Sequence, residues 1–169
     1  RARIARDAGG AALWRWTPAA PPLTPAEELA LRDRGLIKPE ECRHLPADVE
    51  SGKTILMHGG SVRWNPWRQR WIMIAVQQGG SSFLGEVWYS EAATATGPWL
   101  RARKVVTHDR YTFYNPVHHP FLDAEGGRRI FFEGTYSREF SGNPEATPYY
   151  DYNQVLYALD LADPRLDLR

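Results

Sequence analysis

Two carboxylates in this sequence stand beside small residues, Glu86 after Gly85 and Glu133 before Gly134. Glycoside hydrolysis needs two carboxyls flanking the scissile bond, one protonated and one ionised, about 6.5–9.5 Å apart where a water must fit between them. Apolar neighbours such as Phe131, Phe132 or Trp88 would raise one pKa and so create the acid. Glu86 and Glu133 are therefore the catalytic candidates. Both also suit plainer work: Glu133 could tie down loop amides or pair with Arg128 or Arg138, and structural ion pairs perturb carboxylates as active sites do.

His118 and His119 are adjacent, so on a strand they point to opposite faces and cannot both reach one metal without a bulge. His118 is the one expected to face a ligand, and a structural histidine is the alternative for each. No metal site is assigned. Tyr111, Phe113, Tyr114, Tyr136, Tyr149, Tyr150 and Tyr152 crowd neighbouring segments. Their rings would stack on sugar faces while their hydroxyls bond sugar hydroxyls, or they would form a protein interface. Asp151 and Asn153 offer hydrogen bonds to a ligand or shape a turn. The candidate substrate-binding set is His58, Tyr114, Asn115, His118, Tyr136, Asp151, Asn153 and Gln154. His108-Asp109 is also adjacent, but adjacency alone does not make a catalytic pair.

Strands must position these residues. Ser61 to Trp64, Arg70 to Val76, Glu86 to Ser90 and Lys104 to Thr107 are short, rich in Val, Ile, Trp and Tyr, and separated by turn signals such as Asn65-Pro66 and Gly79-Gly80. Four consecutive antiparallel strands make one sheet the size of a propeller blade. The series then restarts with Val117 to Leu122, Arg129 to Thr135 and Gln154 to Leu161. Arg70-Trp71-Ile72-Met73-Ile74 matches Arg128-Arg129-Ile130-Phe131-Phe132, and Glu86-Val87-Trp88-Tyr89 matches Gln154-Val155-Leu156-Tyr157. Repetition at about 60 residues points to blades around an axis; two unrelated meanders are the alternative.

The expected fold is all-β: a partial β-propeller of about two four-stranded antiparallel blades, 53–108 and 109–169, behind an N-terminal arm with short helices, 1–52. In the arm, Thr24-Pro25-Ala26-Glu27 is a helix start and Gly35 its stop, a turn begins near Pro39, and the proline-rich stretch Pro18-Ala19-Ala20-Pro21-Pro22 breaks structure. A propeller needs at least four blades. The chain, which opens at Arg1, is thus expected to be part of a longer protein or to find its remaining blades in another chain. On this topology His58, Ser61, the 77–86 loop, the 114–119 segment and 133–154 gather on one rim, and short turns occupy the other.

Composition narrows the partners. Lys+Arg 21 against Asp+Glu 20 leaves a net charge of +1, with no footprint for nucleic acid or an anionic membrane. Cys42 is the only cysteine, so no intrachain disulfide forms. No run approaches the roughly 18 apolar residues of a membrane span, and no signal-peptide core is present, so membrane insertion is not expected.

The segments His58-Gly59-Gly60-Ser61-Val62-Arg63-Trp64-Asn65, Gly97-Pro98-Trp99, Phe113-Tyr114-Asn115-Pro116-Val117-His118-His119-Pro120 and Tyr152-Asn153-Gln154-Val155-Leu156-Tyr157 carry a resemblance. Over about residues 53 to 166 the chain resembles the last blades of bacterial five-bladed β-propeller proteins of undetermined function, related to the arabinanase and invertase type of glycosidase. That resemblance implies a secreted or periplasmic protein, a carbohydrate bound at the mouth of the central channel, and hydrolysis of a polysaccharide or oligosaccharide. In such glycosidases the base comes from the first blade and the acid from a middle one, so this chain would supply part of a site. A non-catalytic carbohydrate-binding or structural module that assembles with other blades is the second reading. No cofactor is expected, and a structural calcium ion in the channel remains open.

Overall fold

Residues 4–15, 17–18, 21–108 and 111–169 are described by the computed structural model; Ala19 and Ala20 of the proline-rich stretch and Asp109 beside His108 lie outside them. Among the described residues the architecture is mostly β, with one α-helix and eight strands in two sheets, neither closed on itself. The five-stranded sheet contains β1 (Ala47–Asp48), β2 (Met57–Asn65), β3 (Arg70–Gln77), β4 (Val87–Ala92) and β5 (Arg101–Val106) in the order β1-β5-β4-β3-β2. Its β2 to β5 form the expected antiparallel meander. The fifth strand was not anticipated: β1, from the arm, pairs parallel with β5 through Ala47↔Arg101.

The second sheet holds β6 (Thr112–His118), β7 (Arg129–Ser137) and β8 (Tyr152–Asp160), antiparallel in the order β6-β7-β8. Its first strand corrects the expectation of Val117 to Leu122. Pro116 sits inside β6, where the register shifts between Tyr114 and Val117 and Asn115 takes φ 49°. An irregular position of this kind tolerates a residue without a backbone N–H. Pro120–Leu122 is a 3-10 turn beyond the strand.

Packing follows from alternation. Ile72, Ile74 and Val76 of β3 and Val87 and Tyr89 of β4 face Phe113, Ile130 and Phe132 of the second sheet, making one core between the sheets. Gly134 allows the closest approach there, since a Cβ on it would lie 2.2 Å from the Phe113 ring. The other side of β3 and β4 presents Met73, Ala75 and Trp88 to a second core with Ile55, Met57 and Trp99. Backbone N–H groups of β6 lock the sheets together: Phe113 N donates to the backbone Leu84 O at 2.7 Å and His118 N to the side-chain Ser61 Oγ at 2.8 Å. At the lower turns, buried Asn65 donates to Gly127 O and accepts from Arg68 N, both at 2.7 Å.

The arm behaves as its caps predict. Helix α1 (Pro25–Asp33) starts with a capping box between Thr24 and Glu27, and Gly35 follows with φ 67°. Buried Glu28 accepts from the backbone N–H groups of Arg43 and His44, which fixes the helix to the segment entering β1. Trp14 Nε1 and Arg6 reach back to Glu41, so residues 4–15 pack on the arm itself.

Candidate functional site

Chain direction sorts the loops into two ends. The upper end receives the start of β2, the 78–86 loop, Thr107, His108 and Tyr111, and the 138–151 loop; the lower end receives 66–69, 93–100, 119–128 and 161–169. His58, exposed at the bulge that opens β2, and Tyr114, Tyr136, Asp151 and Asn153 fall in the upper half. His118 and His119 do not, because β6 begins five residues before the expected Val117 and carries both to the lower end. There His118 is buried, with Nε2 2.9 Å from Asp123 Oδ1, while His119 Nε2 lies 3.1 Å from Glu133 Oε1.

At the upper end the rings converge. His108 stacks on Tyr136 with ring centres 4.0 Å apart, lies parallel to Phe113 at 5.5 Å, and places Nε2 2.7 Å from Tyr157 Oη. Burial lowers the His108 pKa and pushes the Tyr157 hydroxyl up to about 12. Both are therefore neutral near pH 7, a hydrogen-bonded pair suited to binding rather than to holding charge. Tyr111 meets the edge of Tyr136 at 5.2 Å, and Ser82 Oγ donates to Tyr111 O, which ties the 78–86 loop to this cluster.

The 138–151 loop is held by the polar residues that the sequence offers as ligand contacts. Asp151 pairs with Arg138 at 2.9 Å, and Asn153 Nδ2 donates to Tyr150 O, Thr147 Oγ1 and Tyr136 O. With those groups occupied, the loop displays rings instead. Tyr149 is 96% exposed and Phe140 80% exposed. Both hold φ in the left-handed region, 68° and 59°, which costs an aromatic residue of order 1–3 kcal/mol and needs support from its surroundings.

Glu86 and Glu133 are not brought together. Glu86 shares the side of β4 that carries Trp88, turned away from the second sheet, and is only 5% exposed. Ser81 N donates to it at 3.3 Å, and Gly80 passes so close that a Cβ would lie 2.0 Å from Oε2. Its own loop seals it. Glu133 lies in the middle of β7 rather than at a strand end, on the side turned away from the first sheet. Both sheets stand between the two carboxylates.

Glu133 does have company. By register, Tyr114, Thr135 and Gln154 form one row on that outer face, with Thr135 Oγ1 donating to Gln154 Oε1 at 3.0 Å, and Glu133 and Leu156 form the next. Asn115 is exposed at the bulge beside them. Leu156 and Tyr152 are each more than half exposed, and Tyr114 is 38% exposed. Strand β8 also has only one neighbour, so its far edge is unpaired among the described residues. The His108–Tyr157 and His118–Asp123 pairs escaped the sequence reading; the second had a local signal, a histidine and an aspartate straddling Pro120.

Among the described residues no group of three or more His, Cys, Asp or Glu side chains is placed to hold a metal ion, and no helix is long and apolar enough to cross a membrane. No protein-family model matches the chain, and no curated protein is similar to it, so its chemistry is read from its own residues.

Proposed function

We propose that this chain is a two-sheet sector of a propeller-like protein, an assembly module whose second sheet receives a further antiparallel sheet on its outer face. The observation that carries the reading is the outer face on which Tyr114, Tyr152 and Leu156 are left open beside the unpaired edge of β8. An exposed apolar face and a free edge together are a template for pairing with another β element. The first sheet already covers the inner face of the second through paired Ile, Val and Phe side chains, which is the packing a further sheet would repeat.

The exposed rings of Phe140, Tyr149 and Tyr150 on the upper loop are the surface offered to carbohydrate. Hydrolysis is the finer reading. It keeps Glu133, in the middle of the open face, and requires its partner from another sheet, because Glu86 faces the other way.

Light scattering of the purified chain beside the double variant Tyr152→Ser, Leu156→Ser tests the assembly. Self-association of the parent and a shift toward monomer in the variant are expected; a monodisperse parent monomer would count against it. A glycan array with Tyr149→Ala as control tests the loop, and polysaccharide turnover unchanged in Glu133→Gln would remove that carboxylate from the chemistry.

A further inference from the structure

A cavity of about 460 Å³ opens at the lower end, away from every residue proposed above for assembly or sugar binding. It lies between the lower ends of β3 and β4, the turn into β5, and the C-terminal segment 166–169. Its volume falls within the range of about 300–1,000 Å³ typical of small-molecule sites. The C-terminal wall is anchored. Leu166 is buried in the core between the sheets, Arg103 donates to Asp167 O at 3.1 Å, and Arg101 donates to Leu168 O at 3.4 Å.

The charges on the wall do not balance. Arg68, Arg70, Arg101 and Arg169 line it against two carboxylates, Glu91 and Asp167. Glu91 is shared: Arg68 Nε lies 3.1 Å from one oxygen, which the Tyr89 hydroxyl also contacts, and Arg70 Nε lies 3.8 Å from the other. Asp167 is occupied by Arg169 at 3.0 Å. Arg101 has no carboxylate partner among the described residues. Four guanidinium groups against two side-chain carboxylates leave an excess of two positive side-chain charges, in a chain whose side chains together carry a net +1.

We propose that this cavity binds a small molecule bearing an oxyanion, a carboxylate or a phosphate, held between Arg70 and Arg101. Guanidinium forks present paired N–H donors that match such groups two bonds at a time. Arg70 and Arg101 supply the binding charge because both side chains reach solvent, whereas Arg68 is committed to Glu91 and to Leu161 O at 2.7 Å. This inference stands apart from the assembly reading and survives its failure.

Calorimetric titration of the chain with inorganic phosphate, glucose 6-phosphate, glucuronate and neutral glucose tests it. At least one of the three anions is expected to bind, more weakly as NaCl is raised, with no binding of glucose. The double variant Arg70→Gln, Arg101→Gln should lose tenfold or more in affinity, while Arg63→Gln, exposed on β2 and outside the cavity, should leave it unchanged; thermal melts confirm that both variants fold. Binding of phosphate alone assigns the site to a free oxyanion, and preference for glucuronate or glucose 6-phosphate assigns it to an acidic sugar. Failure of all three anions to bind, equal affinity in the double variant, or glucose binding as well as the anions would overturn the proposal.

Discussion

Strands β3 and β7 carry matching sequence, Arg70-Trp71-Ile72-Met73-Ile74 against Arg128-Arg129-Ile130-Phe131-Phe132, yet they meet different surroundings. From Ile72 to Val76 every side chain of β3 is buried, because the sheet has a core on each face. Along β7 burial interrupts, and along β8 it alternates, with Val155, Tyr157 and Leu159 inward and Gln154, Leu156 and Ala158 outward. The layer over the far face accounts for the difference: Ile55, Met57 and Trp99 cover that face of the first sheet, whereas Tyr114, Tyr152 and Leu156 stay exposed on the outer face of the second. A strand buried on both faces reads as a continuous apolar run, and one buried on a single face reads as alternation. Position within the chain's repeat therefore does not fix a residue's role; the layer lying over it does.

The sharpest way to break this comparison is to truncate one residue on each face of the second sheet. Phe132→Ala removes a fully buried ring from the shared core and should cost about 3–5 kcal/mol. Leu156→Ala, on the outer face, should stay within about 0.5 kcal/mol in the dilute chain. Urea denaturation measures both. Comparable losses at the two positions would mean that the outer face is already covered. The next effect in size concerns the joint between the sheets. Asn65→Ala leaves Gly127 O and Arg68 N without their buried partner and should cost about 1–3 kcal/mol. If the sheets are independent units, unfolding of this variant should split into two transitions; if they share one core, it stays single with a lower midpoint.

Much of the fold could be read locally. The capping box at Thr24 and Glu27 specifies the helix start within four residues, and the hairpin turns bracket β3 and β7 to within two residues of their observed ends. What escaped depends on partners distant in the chain. Two residues, Ala47 and Asp48, become a strand only because Arg101 and Ala102 lie alongside them. Pro116 looks like the end of a segment and is the bulge of a strand. The site was less legible than the fold. Alternation places Glu86 with Trp88, and only the packing of that side against Ile55 and Met57 reveals that Glu86 faces away from Glu133. The His108–Tyr157 bond joins residues 49 apart, across two sheets' worth of chain.

That bond yields the smallest predicted effect, and it distinguishes the upper end from the exposed carboxylates elsewhere. Burial among Phe113, Tyr136 and Tyr157 lowers the folded-state pKa of His108 below its ordinary value of 6.5. The unfolded chain then binds a proton more readily than the folded one, so the stabilising contribution is complete above pH 6.5 and is lost as pH falls through the folded-state value. Asp163 behaves alike in sign but in a lower window, since Arg165 holds its carboxyl at about 2 against an ordinary 3.8. His108→Phe keeps a ring between Phe113 and Tyr136 and removes the titrating group. Melting temperatures of parent and variant should therefore run parallel above pH 6.5, and the parent should fall relative to the variant between pH 6.5 and 5, before the carboxylates protonate. Parallel curves throughout would mean that His108 takes up its proton in the folded chain as easily as in the unfolded one, and the upper aromatic cluster would then be open to water.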